Sequence, residues 1–180
     1  MKQNNIDDSE ENQKESTTLV GIVAEGGIVI ATDKQISGHV KQSGTKLFKI
    51  HPNCIIATAG RLTDCQRTAN KLTKNIKKHE MKRGRHMSVQ NVLDVSKNIA
   101  EEPLWTSSLL AAYDNNNKIM TQFGILGSDI PTNNFDTAGS GHALAKGTIE
   151  AQYEEGLSID EAKEIAINAL KTANKHGVYT

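Results

Sequence analysis

A short apolar hairpin near the start of the chain most constrains its fold. The run Thr18–Ala24 is β-branched and apolar, Glu25-Gly26-Gly27 is a turn signal, and residues 28–32 are apolar again. Two such runs joined by a Gly-Gly turn predict a β-hairpin. Because both runs are almost continuously apolar, we expect both faces of this hairpin to be covered.

The segment before the hairpin, residues 1–16, has the opposite composition. It carries five acidic residues against two lysines, and its only apolar residues are Met1 and Ile6. Such a segment cannot bury enough surface to offset its ordering entropy. We therefore expect residues 1–16 to be a disordered acidic segment and residues 17–180 to form one domain.

Charge and cysteine content exclude several classes of protein. The 180-residue chain carries 21 basic and 21 acidic residues, which argues against nucleic-acid or membrane-surface binding by bulk charge. No apolar run reaches the length of about 18 residues that a membrane-spanning helix needs. Cys54 and Cys65 lie among apolar residues, which predicts buried thiols and fits a reducing cytoplasm. Without a CxxC motif or histidines at ligand spacing, we expect no metal site.

The rest of the chain predicts strands and helices in separate blocks. Residues 46–50 and 54–58 suggest strands, as do residues 108–113 and 118–123. Helical signals are the spacing of Leu62, Cys65, Ala69, Leu72 and Ile76, the cap Ser88, a helix opening at Gly139-Ser140-Gly141 and reaching about Glu155, and a capping box from Ser158 to Glu161. This order predicts an α+β fold with helices layered on sheets.

Thr17 stands where the polar segment meets the first predicted strand. A threonine hydroxyl is a weak nucleophile that becomes effective when a base is fixed beside it. The nearest such base is the residue's own α-amine, with an ordinary pKa of about 8, and this amine is free only if residues 1–16 are removed. On Thr17 alone, an ordinary strand residue is the better interpretation.

Asp33 and Lys46 strengthen the catalytic interpretation. Asp33 ends the second strand of the hairpin, and Lys46 begins the third predicted strand. Side chains at strand ends are usually solvated, but neighbouring strands would bring these two and Thr17 to one end of the sheet. A lysine there would favour the threonine alkoxide, and an aspartate would hold the lysine charged and oriented.

The stretch TTLVGIVAEGGIVIATDKQISG, followed by SGTKLFKI and IIATAGRLTDCQ, resembles proteasome β-type subunits and, more distantly, their bacterial two-ring relative. The resemblance covers roughly residues 17–180, and its motif is composite. It implies a four-layer αββα sandwich of the N-terminal-nucleophile hydrolase type. It also implies a zymogen whose propeptide, residues 1–16, is removed autocatalytically between Ser16 and Thr17.

The resemblance assigns roles within the site. The catalytic residues it implies are the nucleophile Thr17, the tuning pair Asp33 and Lys46, the oxyanion donor Gly60, and Ser140, which supports the threonine amine. Substrate would bind as an added strand beside a mostly apolar pocket. The residues implied for substrate binding are Ile36, Ser37, Gly44, Phe48, Thr58 and Leu62. Ordinary core packing stays open as an alternative for the pocket residues.

Three features depart from the family pattern. Ser16 stands where active members usually have glycine, and Gly177 stands where they usually have an aspartate that orients the amine. Thr180 could replace the nearby serine of the family, while His176 fits a surface residue at a helix end. Family members continue with two more strands beyond Thr180, and a sandwich without them would have an unpaired sheet edge. Two alternatives stay open: the sequence is incomplete, or the subunit lacks its last two strands and depends on a neighbour.

Two functions compete for this sequence. The first is a threonine-type endopeptidase that degrades unfolded polypeptides inside a ring-stacked chamber by acyl transfer to Thr17. The second is a non-catalytic structural β-type subunit, which Ser16 and Gly177 favour. A small-substrate amidase on the same fold is a weaker third. The resemblance implies α-type subunits, other β subunits in heptameric rings and an ATP-dependent unfoldase activator as partners, a cytoplasmic location, and no cofactor, metal, nucleic acid or membrane.

Overall fold

The computed structural model describes residues 17–33, 35–36, 42–43, 46–100, 106–114, 117–123, 130–132 and 134–176. The strands are β1 (Thr18–Ala24), β2 (Gly27–Thr32), β3 (Gln35–Ile36), β4 (Gln42–Ser43), β5 (Leu47–His51), β6 (Cys54–Gly60), β7 (Thr106–Asp114), β8 (Asn117–Phe123), β9 (Ile130–Thr132) and β10 (Phe135–Gly139). The helices are α1 (Leu62–Arg83), α2 (Val89–Ala100), α3 (His142–Glu150) and α4 (Ile159–His176).

Two antiparallel sheets organise these elements. The first has the strand order β10-β1-β2 and the second the order β5-β6-β7-β8-β9, while β3 and β4 pair separately. Because β1 is central in its sheet and pairs with both neighbours, the residue just before it is held close to the ends of β2 and β10. The predicted α+β class is confirmed.

The strands β1 and β2 form the predicted hairpin. Ala24 pairs with Gly27 at the turn, and Leu19 pairs with Thr32 at the other end. β1 is buried along almost its whole length, but β2 is only half-buried after Gly27. The expectation that both faces of the whole hairpin are covered is therefore wrong for β2. Among the described strands β2 lies at the edge of its sheet, and residues 28–30 border an open, mainly apolar cleft of about 700 Å³.

The alternation of side chains along β1 explains how the helices and sheets are layered. Val20 and Ile22 lie in an apolar cluster with residues of α3 and α4, which therefore cover one face of the first sheet. Leu19 lies on the opposite face and belongs to a cluster with Ala57 and Leu109 of the second sheet. The third cluster joins the second sheet to α1 and α2. Each pair of helices thus packs on one sheet, with a smaller core between the sheets.

Helix α1 buries the apolar face that its sequence spacing predicts. Cys65, Ala69, Leu72 and Ile76 are all buried, and Leu62 at its first turn is half-buried. A fully buried leucine or isoleucine contributes about 1.5–3 kcal/mol relative to an exposed one, so this face fixes α1 on the second sheet. Helix α1 begins at Leu62, and only its N-cap residue Arg61 separates it from Gly60 at the end of β6.

Local side-chain caps set the starts of α2 and α4. The Ser88 hydroxyl accepts a hydrogen bond from the Asn91 amide at 3.3 Å, as expected for a residue that caps α2. At α4, the Ser158 amide donates to Glu161 Oε2 at 2.8 Å, and the Glu161 amide donates to Ser158 Oγ at 3.3 Å. The predicted capping box is confirmed.

Two parts of the prediction differ from the structure. Helix α3 ends at Glu150, not near Glu155, because the chain leaves the helix in a turn and then reverses at Gly156, whose φ is 88°. Strands β9 and β10 have no counterpart in the sequence-based prediction. Residues 135–139 mix aromatic, acidic and small side chains without a clear alternation, and pairing with β1 makes them a strand.

Cys54 and Cys65 are buried thiols, as predicted. Burial raises the pKa of Cys54 to about 12, and the negative charge of Asp114 adds to the increase.

Across the ranges the structure describes, no helix combines the length and the apolar character needed to cross a bilayer.

Candidate active site

Thr17 is enclosed at the end of the first sheet, with an exposed fraction of 2%. The turn after β10 holds it, because the Ser140 amide donates to the Thr17 carbonyl at 2.8 Å and the Thr17 amide donates to Ser140 Oγ at 3.0 Å. Gly139 permits this close approach. Its φ is 88°, and a Cβ added there would overlap the Thr17 carbonyl oxygen.

Asp33 approaches from the end of β2. The pairing of Leu19 with Thr32 brings the residue after β2 next to the start of β1. The carboxylate Oδ2 of Asp33 accepts a hydrogen bond from the Thr18 amide at 2.6 Å. Asp33 is therefore fixed to the backbone that carries Thr17.

Lys46 approaches from the start of β5, in the other sheet. Its carbonyl accepts a hydrogen bond from the Thr58 amide at 2.9 Å, which fixes its backbone to β6. Its ammonium Nζ donates to Thr17 Oγ1 and lies 3.3 Å from Asp33 Oδ1. The structure thus brings Thr17, Asp33 and Lys46 together, as predicted, but across the two sheets and not at the end of a single sheet as the sequence suggested.

The charges in this cluster are almost fully withdrawn from water. The side chains of Lys46 and Asp33 are 4% and 5% exposed. Buried charges are costly unless they are paired, and removal of one partner typically destabilises a protein by about 3–5 kcal/mol. Each charge here therefore depends on the other, and the pair holds a cation against the Thr17 hydroxyl at low local dielectric.

This arrangement can stabilise an anion on the threonine oxygen. A buried ammonium that already contacts Oγ1 favours the alkoxide over the hydroxyl, and no reorganisation is needed when charge develops there. Ser140 Oγ, at 3.0 Å from the Thr17 nitrogen, would support an amine at this position. Gly60 ends β6, with only Arg61 between it and the start of α1 at Leu62, and its φ is 138°.

The predicted substrate-binding residues are only partly described. Ile36 lies in β3 and pairs with Gln42 of β4, whereas Ser37, Gly44 and the processing-site residue Ser16 lie outside the described residues. Phe48 is half-buried and packs against the core under α1 and α2, which agrees with the packing alternative for this residue.

Two further predicted pocket residues lie near the end of β6. Thr58 is completely buried in β6, and its hydroxyl has no hydrogen-bond partner among the described residues. Leu62 is half-buried at the first position of α1. Both lie in the same strand-to-helix segment as Gly60.

The family departures at the C-terminal end fall mostly outside the described residues. Gly177 and Thr180 are not among them, while His176 is the exposed last residue of α4, as expected for a surface histidine.

Two contacts next to Thr17 were not predicted from the sequence. The Thr18 amide donates directly to Asp33. Gly141, predicted only as part of the Gly-Ser-Gly motif, packs so closely that a Cβ there would overlap Thr18 Oγ1. Only the motif itself signals that close packing.

Comparison with known proteins identifies the family. A family model described as "Proteasome subunit" matches residues 13–180. The chain therefore belongs to the proteasome subunit family. "Proteasome subunit beta 2" of Thermococcus onnurineus is 33% identical over 177 residues, which cover 94% of this chain and 88% of that protein. "Proteasome subunit beta" of Methanopyrus kandleri is 28% identical over 166 residues, 87% of this chain and 79% of that protein.

Proposed function

We propose that this chain is a catalytic proteasome β-type subunit, a threonine-type endopeptidase whose nucleophile is Thr17 after removal of residues 1–16. The observation that carries the proposal is the contact of the Lys46 ammonium with the Thr17 hydroxyl, next to the Asp33 carboxylate. A purely structural subunit has no need for a buried ion pair directed at a threonine hydroxyl. The similarity to proteins named proteasome subunit beta supports the same class.

The proposed reaction is acyl transfer. Thr17 Oγ1 attacks the carbonyl carbon of the substrate peptide bond while its proton passes to the freed α-amine of Thr17. The amine then protonates the leaving nitrogen, the C–N bond breaks, and an ester to Thr17 remains. Water attacks this ester, returns the proton to Oγ1 and releases the new carboxylate.

The neighbouring residues have separate roles in this proposal. Lys46 stabilises the negative charge that develops on Oγ1, and Asp33 pairs with the Lys46 ammonium and orients it. The Gly60 amide donates to the carbonyl oxygen as it becomes an oxyanion, an interaction that is typically worth roughly 3–4 kcal/mol of barrier. Ser140 Oγ holds the freed amine.

We further propose that the chain assembles with α-type and other β subunits into stacked rings, in the cytoplasm. The extended β3 segment and the end of β6 would pair with an unfolded polypeptide as an added strand, which binds backbone without reading sequence. An ATP-dependent unfoldase would supply such polypeptides. The mostly apolar predicted pocket favours cleavage after apolar residues.

The alternative is a structural β-type subunit with the same fold. Ser16 favours it, because a β-carbon before the nucleophile hinders the tight geometry of self-cleavage, and Gly177 removes a carboxylate that would orient the amine. An unprocessed chain that assembles normally would identify this alternative.

The test is intact mass and peptide cleavage by the full chain co-expressed with α-type proteasome subunits. We expect an N-terminus at Thr17 and measurable cleavage of apolar peptides. Thr17→Ala should lower kcat/KM by roughly a thousandfold or more, because the nucleophile is lost. Thr17→Ser should keep part of the activity, since it retains a hydroxyl.

A matched control is Thr148→Ala, because the Thr148 hydroxyl donates to the Leu144 carbonyl one turn earlier in α3, away from Thr17. It should leave cleavage unchanged. Cleavage that persists in Thr17→Ala would disprove the mechanism. An assembled complex that retains residues 1–16 and cleaves nothing would replace the proposal by the structural alternative.

A further inference from the structure

A second cluster of titratable side chains lies at the far end of β5 from Lys46. His51 is the last residue of β5, Glu80 lies in the last turn of α1, and His86 follows that helix. His51 Nε2 lies 3.2 Å from Glu80 Oε1, and His86 Nδ1 lies 2.9 Å from the same oxygen. One ligand atom from each residue falls within 4.8 Å of the other two.

The local backbone explains why these three residues meet. Gly84 ends α1 in the left-handed conformation, with a φ of 63°, and turns the chain back along the helix. The buried Met87 then anchors this turn, and its amide donates to Glu80 Oε1 at 3.0 Å. The cluster is thus held by a helix end, a strand end and a fixed turn, and its histidines come from distant parts of the sequence.

We propose that His51, Glu80 and His86 bind one divalent transition-metal ion with the ligand preferences of Zn²⁺. Two imidazole nitrogens and one carboxylate oxygen form a donor set that Zn²⁺ favours over Mg²⁺ or Ca²⁺. Zinc–ligand lengths of about 2.0–2.2 Å and a tetrahedral angle put neighbouring ligand atoms about 3.4 Å apart. The observed N–O separations of 3.2 and 2.9 Å are close to this value.

The exposure of the three side chains suits an open site. The His51 side chain is 5% exposed, that of Glu80 is 19% exposed, and that of His86 is 83% exposed. An ion can therefore enter from the His86 side, and water can take the fourth position. The His51 and His86 ligand nitrogens lie within 4.8 Å of each other. Because His86 is exposed, it can move toward His51 and shorten this distance around the ion.

Two features oppose binding of the ion and limit the affinity that we expect. The Asn53 amide donates to His51 Nδ1 at 3.3 Å, so a metal at Nε2 requires the other tautomer and the loss of this long hydrogen bond. Arg83 and Arg85, next to the cluster in the chain, add positive charge. We therefore expect moderate affinity and a metal binding that releases protons, and not a permanently occupied structural site.

The test is calorimetric titration of the metal-free full chain with ZnCl₂, together with Co²⁺ as a spectroscopic probe of tetrahedral coordination. We expect one ion per chain, a higher thermal midpoint with Zn²⁺, and no comparable response to Mg²⁺. His86→Ala and Glu80→Gln should each weaken Zn²⁺ binding by at least roughly tenfold. His86 is exposed, so its substitution leaves folding intact.

His79→Ala is the matched control, because His79 is an exposed histidine in the same part of α1 and lies outside the cluster. It should leave Zn²⁺ affinity unchanged. Absence of one-to-one binding would overturn the proposal. So would binding that His86→Ala and Glu80→Gln leave intact, or that His79→Ala weakens equally. Thr17 is not involved, so these outcomes are independent of peptide cleavage.

Discussion

The two ends of strand β5 each bring a basic side chain to a carboxylate, but in different surroundings. At the start, Lys46 meets Asp33 at 3.3 Å, and both side chains are almost fully enclosed. At the end, His51 meets Glu80 at 3.2 Å, and Glu80 also contacts the exposed His86. The separations are nearly equal, and His51 is as enclosed as Asp33, so the two ends differ in the access of water to Glu80 and His86.

This difference has a physical consequence for each pair. At the enclosed end, neither charge has water as an alternative partner, so the pair depends on its geometry. At the open end, hydrogen bonds from the Met87 amide and then from His86 lower the pKa of Glu80. Water can replace the exposed His86 at small cost. We therefore expect the start of β5 to tolerate little change and its other end to tolerate much.

The largest expected effect comes from Asp33→Asn. This substitution keeps the shape of the side chain but leaves the Lys46 ammonium buried without its counter-charge. We expect a loss of about 3–5 kcal/mol in unfolding free energy, measured by urea denaturation of the full chain.

The matched substitution at the other end, Glu80→Gln, should cost only about 1 kcal/mol in metal-free buffer. The exposed His86 is rehydrated, and the glutamine keeps a side-chain oxygen that can accept from the Met87 amide. Asp160→Asn, at an exposed ion pair with Lys163, should be neutral. Equal losses at Asp33 and Glu80 would show that enclosure does not distinguish the two ends.

A somewhat smaller effect is expected from Gly139→Ala, which tests whether backbone contact encloses the Thr17 end. The added Cβ would overlap the Thr17 carbonyl oxygen, in a backbone conformation that side chains rarely adopt. We expect a loss of about 2–4 kcal/mol, measured by thermal and urea unfolding. Gly147→Ala is the control, since nothing lies near its Cβ position in α3, and it should stabilise the chain by up to about 1 kcal/mol.

The smallest effect concerns pH and Cys54, which pairs with His51 across the β5–β6 turn. The folded state raises the pKa of this thiol from 9.0 to about 12. Above pH 9 the unfolded thiol loses its proton while the folded one keeps it, so the unfolded state binds fewer protons and stability falls as pH rises toward 12.

Between pH 8 and pH 10, this effect should lower the unfolding free energy by about 1 kcal/mol. Cys54→Ala should remove that part of the pH dependence, as measured by urea denaturation at both values. If Cys54→Ala leaves the pH dependence of the unfolding free energy unchanged, water reaches the thiol of the folded protein. The end of β5 at His51 would then be hydrated as far as strand β6.

The amino-acid sequence predicted those parts of the fold that depend on short-range patterns of apolar, turn and capping residues. The hairpin, the buried face of α1 and the capping box at Ser158 each have strong short-range signals, and the structure confirms them. The convergence of Thr17, Asp33 and Lys46 was predicted from the family motif and from the expectation that their strands neighbour one another in one sheet. That expectation is wrong for Lys46, which reaches Thr17 from the second sheet. The roles of these residues in catalysis stay predictions.

The remainder depends on contacts between distant segments. Strand β10 has little propensity of its own and forms against β1, more than a hundred residues earlier. The half-burial of β2 reflects its place at a sheet edge, which composition cannot reveal. The cluster of His51, Glu80 and His86 has no spacing signal, because a strand, a helix and a turn each supply one residue.

The anchors of Thr17 have a consequence for maturation. Of the hydrogen bonds at Thr17, the one from its nitrogen to Ser140 Oγ includes an atom of the bond between residues 16 and 17. The Ser140 bond to the Thr17 carbonyl and the Asp33 bond to the amide of the following residue both lie on its downstream side. Severing the bond between residues 16 and 17 would leave these two untouched. The new N-terminal residue would then keep the position it had before cleavage, with its hydroxyl already in contact with Lys46. The conversion of the precursor to the mature form would need no refolding at Thr17.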